Sequence, residues 1–520
     1  MSFIKSTATV AGLTMVSRIT GLLRDQITAA TLGAGGAADA FFVALKLPNL
    51  FRLVFAEGAF SASFVPLFSK EMETQGKQEA LSFAEESLAA MLFILLPFTI
   101  LMIIAMPWVM FLFAPGFSDD PERIGWAVQM CRITFPYLML VSLVSLLGGI
   151  LNSFDKFGPF AAAPIAFNLC IILAIYTLAP FTETVGHAMS WGVLISGIVQ
   201  VLWMWHACRK MGLRLRLVRP RFTLRVKKLA TLIGPGCLGA GVVQINLFIN
   251  TIIASLLPEG SISWLYYADR LHQLPLGVIG IAIGTSLLPL MSRHIATGNN
   301  SHAHHFFNRG LEFGMLLSLP CAMALAVAAQ PILATLFQYG HFSSDDTRQT
   351  VLSLAFFSLG IPAFVAGKVM TVSFYARQDT RTPVRVALLT TATNITLALV
   401  LMHSLRHAGI AAATAISGWV QVIALRHLLK KNGFWEIDSQ LKHRAPRILA
   451  ASLGMAAAIA LIAWLFRNVW QMGLLFRLGA MGILVLAGLV IYFGLAELLG
   501  ATSIADIKTS LKRSQKEPAK

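Results

Sequence analysis

The sequence predicts an all-α protein that crosses a membrane about fourteen times. Of its 520 residues, 56% are hydrophobic and 12% are charged, and the mean hydropathy is +0.72. A soluble domain carries roughly 25% charged residues, so this chain has too few charges to cover a globular surface. Apolar segments of about 20 residues, the length that crosses a hydrocarbon core, recur along the whole chain. The first six of these segments also recur as the next six, which predicts two six-helix repeats followed by two more helices.

The apolar segments can be placed by number along the chain. They lie near 8–30, 38–68, 86–114, 126–151, 159–180, 187–208, 229–257, 262–291, 311–338, 350–375, 384–403, 409–429, 446–466 and 474–499. Their number is even, which places both termini on the same side of the membrane.

The internal repeat is visible in matched residues at a nearly constant separation. Pro107 matches Pro331 and Asp155 matches Asp379, both 224 residues apart, and FVPLFSK recurs as LLPLMSR 223 residues later. A unit of six spans returns to the side where it started, so the two repeats insert in parallel. In transporters, parallel repeats place the substrate site between the two halves near the bilayer midplane.

The repeat predicts five regions. Residues 1–211 form the first six-helix bundle, 212–228 a basic cytoplasmic linker, 229–433 the second bundle, 445–500 two extra helices, and 501–520 a basic cytoplasmic tail.

The net charge of +17 has a topological explanation. Lys and Arg are concentrated in alternate joints between spans, above all in the stretch 209–228 and in the C-terminal tail. The opposite joints hold little beyond Arg123, Arg348, Arg406 and Arg467. This asymmetry is the positive-inside pattern, so both termini are predicted to be cytoplasmic and nucleic-acid binding is the weaker interpretation.

Several ionisable residues fall inside predicted spans, where each costs roughly 2.5–3.5 kcal/mol if it faces lipid. They are Arg18, Arg24 and Asp25 in the first span, Asp39, Lys46, Arg52 and Glu57 in the second, and Asp269 and Arg270 in the eighth. A structural interpretation is that they form ion pairs, since Arg18 and Asp25, like Asp39 and Lys46, are seven residues apart and share a helix face. The excess of cations favours a cavity for phosphate or pyrophosphate, which guanidinium groups bind bidentately.

Glycine and proline residues interrupt two of the same spans. Pro48 and Asn49 lie in the second span, and Gly234, Pro235 and Gly236 lie in the seventh. Irregular helices are tolerated where they line a cavity, so the Gly-Pro-Gly segment is predicted to be a hinge.

No motif predicts a catalytic residue, a metal site or a nucleotide. The histidines His302, His304 and His305 are assigned to a polar loop without nearby acids or cysteines. Asp119-Asp120 and Asp345-Asp346 recur in both repeats and are interpreted as helix caps. The sequence GxxxxGK[ST] is absent, so direct use of ATP is not supported.

Three runs of residues closely resemble the MurJ/MviN family of lipid II flippases. They are SRITGLLRDQITAATLGAGGAADAFFVALKLPNLFRLVFAEGAFSASFVPLF, WLYYADRLHQLPLGVIGIAIGTSLLP and FYARQDTRTPV. The resemblance covers essentially the whole chain. It implies two six-helix bundles of the multidrug/oligosaccharidyl-lipid/polysaccharide exporter type around a cationic cavity, with a groove for a polyprenyl tail on the last two helices.

The resemblance also implies roles for individual residues. Arg18, Arg24, Arg52 and Arg270 would bind the diphosphate or the headgroup, and Asp39 would be an essential acid of the cavity. Further members of the site would be Ser17, Lys46, Asn49, Glu57 and Ser263, with Asp25 and Asp269 as ion-pair partners. At Gln273 this chain departs from the pattern, because some relatives carry an acid there.

The implied activity is transport by alternating access, without a cofactor, driven by membrane potential or an ion gradient. The implied partners are lipid II, membrane lipids and peptidoglycan-synthesis enzymes, in a bacterial inner membrane. Two alternatives remain at this point, namely another exporter, or a membrane enzyme acting on polyprenyl-phosphate-linked glycans. A scaffold is disfavoured because it has no use for costly intramembrane arginines.

Overall fold

The computed structural model describes residues 3–52 and 59–502, except for the side chains of 3–7, 59, 235–243, 281–282 and 285. Over these residues the chain is helical and contains no strand, which confirms the all-α prediction. The helices are α1 (Phe3–Leu32), α2 (Gly36–Arg52), α3 (Ala59–Gln75), α4 (Lys77–Phe113), α5 (Pro121–Thr134), α6 (Tyr137–Ser153), α7 (Gly158–Leu178), α8 (Val185–Lys210), α9 (Leu224–Ser255), α10 (Ser261–Ala296), α11 (Asn300–Val327), α12 (Ala329–Leu336), α13 (Ser344–Tyr375), α14 (Arg381–Leu405), α15 (His407–Lys431), α16 (Ser439–Leu465) and α17 (Leu474–Leu498).

Each predicted apolar segment coincides with a helix or with two consecutive helices. Ten helical segments of the described chain are long and apolar enough to cross a membrane, with α5 and α6 counted as one segment. The predicted spans 8–30, 229–257 and 262–291, and the described parts of 38–68, are helical but fall outside this set. The protein is therefore a multi-pass membrane protein, and the number fourteen stays a prediction.

The helices continue through the predicted interruptions. Helix α2 contains Pro48 and ends at Arg52, and α9 runs from Leu224 to Ser255 across Gly234. Pro235 and Gly236 lie in this helix, but their side chains are outside the described set. The hinge role of this segment stays a prediction.

The contacts divide the chain into two compact units. The first comprises Met1–Ser263 with Tyr339–Phe342, and the second comprises Trp264–Gln338 with Ser343–Lys520. Helix α9 belongs to the first unit because it packs against α3 and α4. The predicted division at the linker follows the sequence repeat, whereas this division follows packing, so the predicted domain boundaries stay predictions.

The core of the first unit contains a stack of phenylalanine rings from α3 and α4. Phe64 lies 5.3 Å from Phe60, 5.6 Å from Phe68 and 5.6 Å from Phe83, measured between ring centroids. All four rings are buried. Side chains of α6 and α8 complete this core.

The second unit has two cores. One is formed by α10, α11, α13 and α15, and it includes Trp435, whose indole N–H donates to the Asn308 side chain at 2.8 Å. The other joins α16 and α17 to α11. There the Tyr492 hydroxyl donates a 2.6 Å hydrogen bond to the Leu316 carbonyl. The two additional helices are thus attached to the second unit through α11.

The two repeats share a turn that corrects one detail of the predicted register. After α6, Asp155 has φ 57° and the N–H of Lys156 donates to the Leu151 carbonyl at 3.0 Å. After α13, Gln378 has φ 61° and the N–H of Asp379 donates to the Phe374 carbonyl at 3.0 Å. The equivalent of Asp155 is therefore Gln378 rather than Asp379, because one residue is inserted in the following connection of the second repeat.

Candidate functional site

Asp39, in the first turn of α2, is an acid that accepts four hydrogen bonds. Its side chain has no exposed surface. Its carboxylate accepts hydrogen bonds from the backbone N–H of Gly260 and Ser263, both at 2.8 Å, and from the Ser263 hydroxyl at 2.6 Å. The guanidinium of Arg123 completes the set at 2.5 Å. Asp39 thus caps the N-terminus of α10, where a negative charge is favoured by the helix dipole.

The cap is reciprocal. The Glu259 carboxylate, just before α10, accepts a hydrogen bond from the backbone N–H of Gly36, the first residue of α2. Asp39 and Ser263 are 224 residues apart, the separation of the sequence repeat. Gly36 and Gly260 have the same separation. Asp39 and its repeat equivalent Ser263 therefore contact one another, and the first turns of α2 and α10 exchange hydrogen bonds in both directions.

Two glycines, one in each repeat, lie close to the backbone at the ends of α1 and α9. Gly116 lies against the Ser255 carbonyl at the end of α9, and its N–H faces the Ser255 hydroxyl at 3.3 Å. Gly340, with φ 56°, lies against the Ala30 carbonyl near the end of α1. A side chain at either glycine would collide with backbone. Each repeat thus places a glycine on the first helix of the other repeat.

Arg123 is the functional candidate that the sequence analysis missed. It was assigned to an outer joint, but it is 5% exposed, and its guanidinium lies 3.9 Å above the Phe117 ring. Its backbone N–H donates to Asp120, which caps α5 as predicted. The available signal was that an arginine in the first turn of a helix opposes the dipole and needs an acid.

Arg24 and Asp25 of α1 form a second buried cluster. Arg24 is 4% exposed and lies 2.6 Å from the Asp25 carboxylate, and it donates to the Asn168 side chain of α7 at 3.0 Å. The expected partner of Asp25 was Arg18, two turns earlier on the same face. Asp25 pairs with Arg24 instead, because the two residues are neighbours in sequence and the Asn168 side chain orients the Arg24 guanidinium.

Arg18 and Ser17 lie in the same helix, and both are half-buried. The Asn168 amide donates to the Ser17 carbonyl at 3.1 Å, so α7 contacts α1 at the predicted site.

The remaining predicted residues of the first unit lie along α2. The Lys46 ammonium is 3.4 Å from the Thr251 hydroxyl of α9. The Arg52 guanidinium donates to the Asn49 side chain at 3.0 Å, and the Asn49 amide donates to the Leu45 carbonyl. Glu57 lies outside the described residues.

Arg270 and Asp269 lie on α10 in the second unit. The Arg270 guanidinium donates to the Tyr266 hydroxyl at 3.0 and 3.1 Å and is 5.1 Å from that ring. Asp269 accepts a hydrogen bond from the Gln273 amide. Gln273 is therefore a neutral side chain that donates a hydrogen bond to the neighbouring acid, Asp269.

The paired acids and the clustered histidines of the sequence analysis have clear positions in the structure. Ser343 caps α13 and forms a capping box with Asp346, which also accepts from the Trp264 indole at 2.9 Å. The paired acids thus belong to helix caps, although the caps are Asp120 and Ser343 themselves. The histidines from 302 to 305 lie in the first turns of α11, so their assignment to a loop was wrong. No group of three His, Cys, Asp or Glu that could hold a metal occurs among the residues described.

The described residues form an all-helical chain with ten segments long and apolar enough to cross a membrane, which defines the class of protein, a multi-pass membrane protein. A solved inward-facing multidrug resistance transporter of the MATE family shares this fold, with a TM-score of 0.66 and 16% identity over 82% of this chain and 98% of that chain. The family model described as lipid II flippase MurJ matches residues 28–481. The chain belongs to this family, whose named members are transporters rather than enzymes.

Individual relatives agree. A probable lipid II flippase MurJ of Rhizobium meliloti is 44% identical over 471 residues, covering 89% of this chain and 88% of that protein. A probable lipid II flippase MurJ of Rhizobium tropici is 40% identical over 100% of this chain and 98% of its own length. A solved lipid II flippase MurJ in an inward closed conformation has a TM-score of 0.77 and 25% identity, covering 94% of this chain and 98% of that chain.

Proposed function

We propose that this protein moves lipid II from the cytoplasmic to the periplasmic leaflet of a bacterial inner membrane, by alternating access through a cationic central cavity. Both termini face the cytoplasm in this proposal, as the distribution of Lys and Arg indicates. Peptidoglycan-synthesis enzymes are the partners that would use the translocated lipid. Family membership supports the substrate class, and the charges of α1 and α2 support the mechanism.

The observation that carries the proposal is the formal charge of the segment from Arg18 to Arg52. This segment holds four cations, Arg18, Arg24, Lys46 and Arg52, and two acids, Asp25 and Asp39, which gives a surplus of +2. Asp39 also receives Arg123 from α5. Cations within membrane helices are costly unless they face water, a partner or a ligand. A diphosphate carries the negative charge that such a cationic segment attracts.

Lipid II is an amphiphile, and its apolar part suits helices α16 and α17 of the second unit. Helices α16 and α17 present large apolar side chains outward, including Leu461, Leu486 and Val490, which are 58%, 65% and 72% exposed. Such a surface suits an isoprenoid chain, while the charged helices suit the headgroup. The proposal therefore assigns the isoprenoid tail to α16 and α17 and the headgroup to the charged helices.

The proposal is tested by replacing Arg18, Arg24, Arg52 and Arg270 singly by alanine. The assay uses cells depleted of the wild-type protein and measures lipid II that reaches the outer leaflet. We expect loss of translocation at normal protein levels. Arg348→Ala is the matched control, because its guanidinium is 78% exposed and pairs with Asp345 at the surface. Full activity of all four variants would refute the cationic cavity.

A membrane enzyme is distinguished by its product. Purified protein incubated with lipid II should return chemically unchanged lipid II by chromatography while it moves between leaflets. A shortened or dephosphorylated product would contradict the flippase proposal and support the enzymatic alternative.

A further inference from the structure

His272 of α10 is a buried histidine whose ring makes no hydrogen bond. The residue is 5% exposed, and neither Nδ1 nor Nε2 has a hydrogen-bond partner within the described part of the chain. A buried polar group without a partner costs roughly 1–3 kcal/mol. Leucine or phenylalanine would fill this position without that cost. A function therefore explains the imidazole better than packing does.

Asp269, one turn earlier on α10, lies beside this ring. Its Oδ1 atom is 3.5 Å from Nδ1 of His272, which is longer than a hydrogen bond. Its other oxygen accepts from the Gln273 amide, so the carboxylate is held in place. One carboxylate oxygen therefore faces the imidazole, close enough to accept a hydrogen bond after a small movement.

The ring is enclosed by two aromatic side chains of α13. The Phe357 ring is stacked on it at 5.3 Å with an interplanar angle of 27°, and the Phe364 ring meets it edge-on at 5.7 Å. The face of an aromatic ring attracts a cation. The surroundings therefore accommodate an imidazolium as well as a neutral imidazole.

The other charged groups near the ring lie on the same two helices. Arg270 directs its guanidinium to the Tyr266 hydroxyl. Lys368 of α13 lies against Gly280, two turns further along α10 than His272. Asp269 is thus the charged group that the structure places against the ring.

We infer that His272 and Asp269 form a proton-binding site that makes transport by this protein depend on pH. The inference deepens the proposed function and rests on it, because it names the proton as the ion to which the flippase responds. Histidine is the side chain that changes its charge between about pH 5 and pH 8. A proton from water binds the unpartnered ring, and the resulting imidazolium donates an N–H to Asp269.

Protonation changes the contact between α10 and α13. The neutral ring leaves its nitrogens without partners between Phe357 and Phe364, whereas the imidazolium is drawn towards Asp269 on its own helix. Arg270, a residue of the proposed substrate site, lies in the same turn of α10 as Asp269 and His272. Proton binding is thereby linked to the conformation of α10.

The test measures translocation of a fluorescent lipid II analogue in proteoliposomes of the full-length protein, with equal pH on both sides, from pH 5 to pH 8. Wild-type protein should show a pH-dependent rate with a midpoint in this range. His272→Gln and His272→Phe should abolish the dependence, and Asp269→Asn should weaken it because it removes the acceptor. An unchanged profile in both His272 variants would overturn the inference.

His187→Gln is the matched control. His187 is equally buried, at 5% exposure, but its ring nitrogens are bonded to Thr184 at 2.9 Å and Gln129 at 3.1 Å. This variant should keep the wild-type pH profile.

A second measurement separates the inference from the proposed function. Nitrogen-15 resonances of the imidazole in lipid nanodiscs should show His272 gaining a proton between pH 5 and pH 8, and His272→Gln identifies its signals. A ring that stays neutral throughout would overturn the proton site even if lipid II is translocated. Absence of translocation by wild-type protein at every pH would instead refute the flippase proposal.

Discussion

The Ser263 hydroxyl donates a 2.6 Å hydrogen bond to Asp39, and the two residues occupy equivalent positions in the two sequence repeats, 224 residues apart. The contact joins the first turn of α2 to the first turn of α10. The acid then also accepts the guanidinium of Arg123.

Removal of the Asp39 charge should destabilise the first unit. Asp39→Asn leaves the Arg123 guanidinium buried without its acid, which costs about 3–5 kcal/mol when a buried pair loses one partner. The free energy of unfolding in detergent should fall accordingly. Asp345→Asn is the control, because that carboxylate is 64% exposed and should change stability little. Equal stability of the two variants would contradict the structural role of Asp39.

The close approach at Gly116 predicts a position-specific effect of alanine. Gly116→Ala forces a methyl group into the Ser255 carbonyl at the end of α9, and the backbone must shift. Overpacking of this kind typically costs about 1–3 kcal/mol. Gly125→Ala in α5 is the control, because its new methyl meets nothing within 4 Å and alanine favours a helix. Thermal unfolding should therefore shift down for the first variant and not for the second.

Arg225 anchors the start of α9 to α3 and α4. Its guanidinium lies 2.9 Å from Glu79, 3.4 Å from Glu86 and 3.7 Å from Glu71. Burial disfavours its charge, but the hydrogen bond to Glu79 and the three carboxylates outweigh burial and raise the pKa of Arg225. The three carboxylates therefore favour the charged form of Arg225.

Arg225→Ala should release α9 and leave three carboxylates without their shared cation. The expected loss of unfolding free energy is about 1.5–3 kcal/mol, the range for hydrogen bonds to charged groups. Arg221→Ala, four residues earlier at an exposed position, is the control and should be neutral. If Arg225→Ala were as stable as Arg221→Ala, the acid cluster would not hold the helix.

Asp379 predicts a pH dependence in the turn before α14. The hydrogen bonds from Thr382, and the backbone N–H of Arg381, lower the pKa of Asp379 below its usual 3.8. Because the folded-state pKa is depressed, the stabilisation is present above about pH 3.8 and is lost as the pH falls through the folded value. Asp379→Asn should therefore reduce the apparent Tm slightly at pH 7, and the difference from wild type should shrink below pH 4. A constant difference at all pH values would contradict this account.

The attachment of the two additional helices depends on Glu312. Its carboxylate contacts Arg309 within α11 and Arg444 of α16, the latter at 2.7 Å. Glu312→Ala removes this acid from Arg444, whereas Arg309 keeps Asp438 at 2.6 Å, so a loss of about 1.5–3 kcal/mol is expected. Tyr492→Phe removes the hydrogen bond to Leu316, so a loss near 1 kcal/mol is expected. Limited proteolysis between α15 and α16 should accelerate in the first variant more than in the second.

Hydropathy, the repeat and the run from Ser17 to Phe68 were sufficient to predict the helical membrane fold and the family. Each of these signals depends on neighbouring residues or on a regular spacing, so it can be recognised in the sequence without a structure. The capping role of Asp120 was also readable, because a cap and its helix are neighbours in sequence.

The partners of the buried charges were not readable. Spacing along a helix favoured Arg18 for Asp25 and Lys46 for Asp39, but the structure places Arg24 and Arg123 in these pairs. Arg123 lies on a different helix, 84 residues from Asp39. No local pattern encodes that distance, because helix packing sets it.

The sequence by itself determined the class of protein, its helices, its repeat and its surplus of intramembrane cations. Only the tertiary structure decided which acid meets which cation, that the first turns of α2 and α10 cap each other, and that His272 is enclosed beside Asp269. Helix formation and membrane insertion depend on local backbone bonding and on the polarity of consecutive residues, whereas ion pairing depends on the approach of helices that are far apart in the chain.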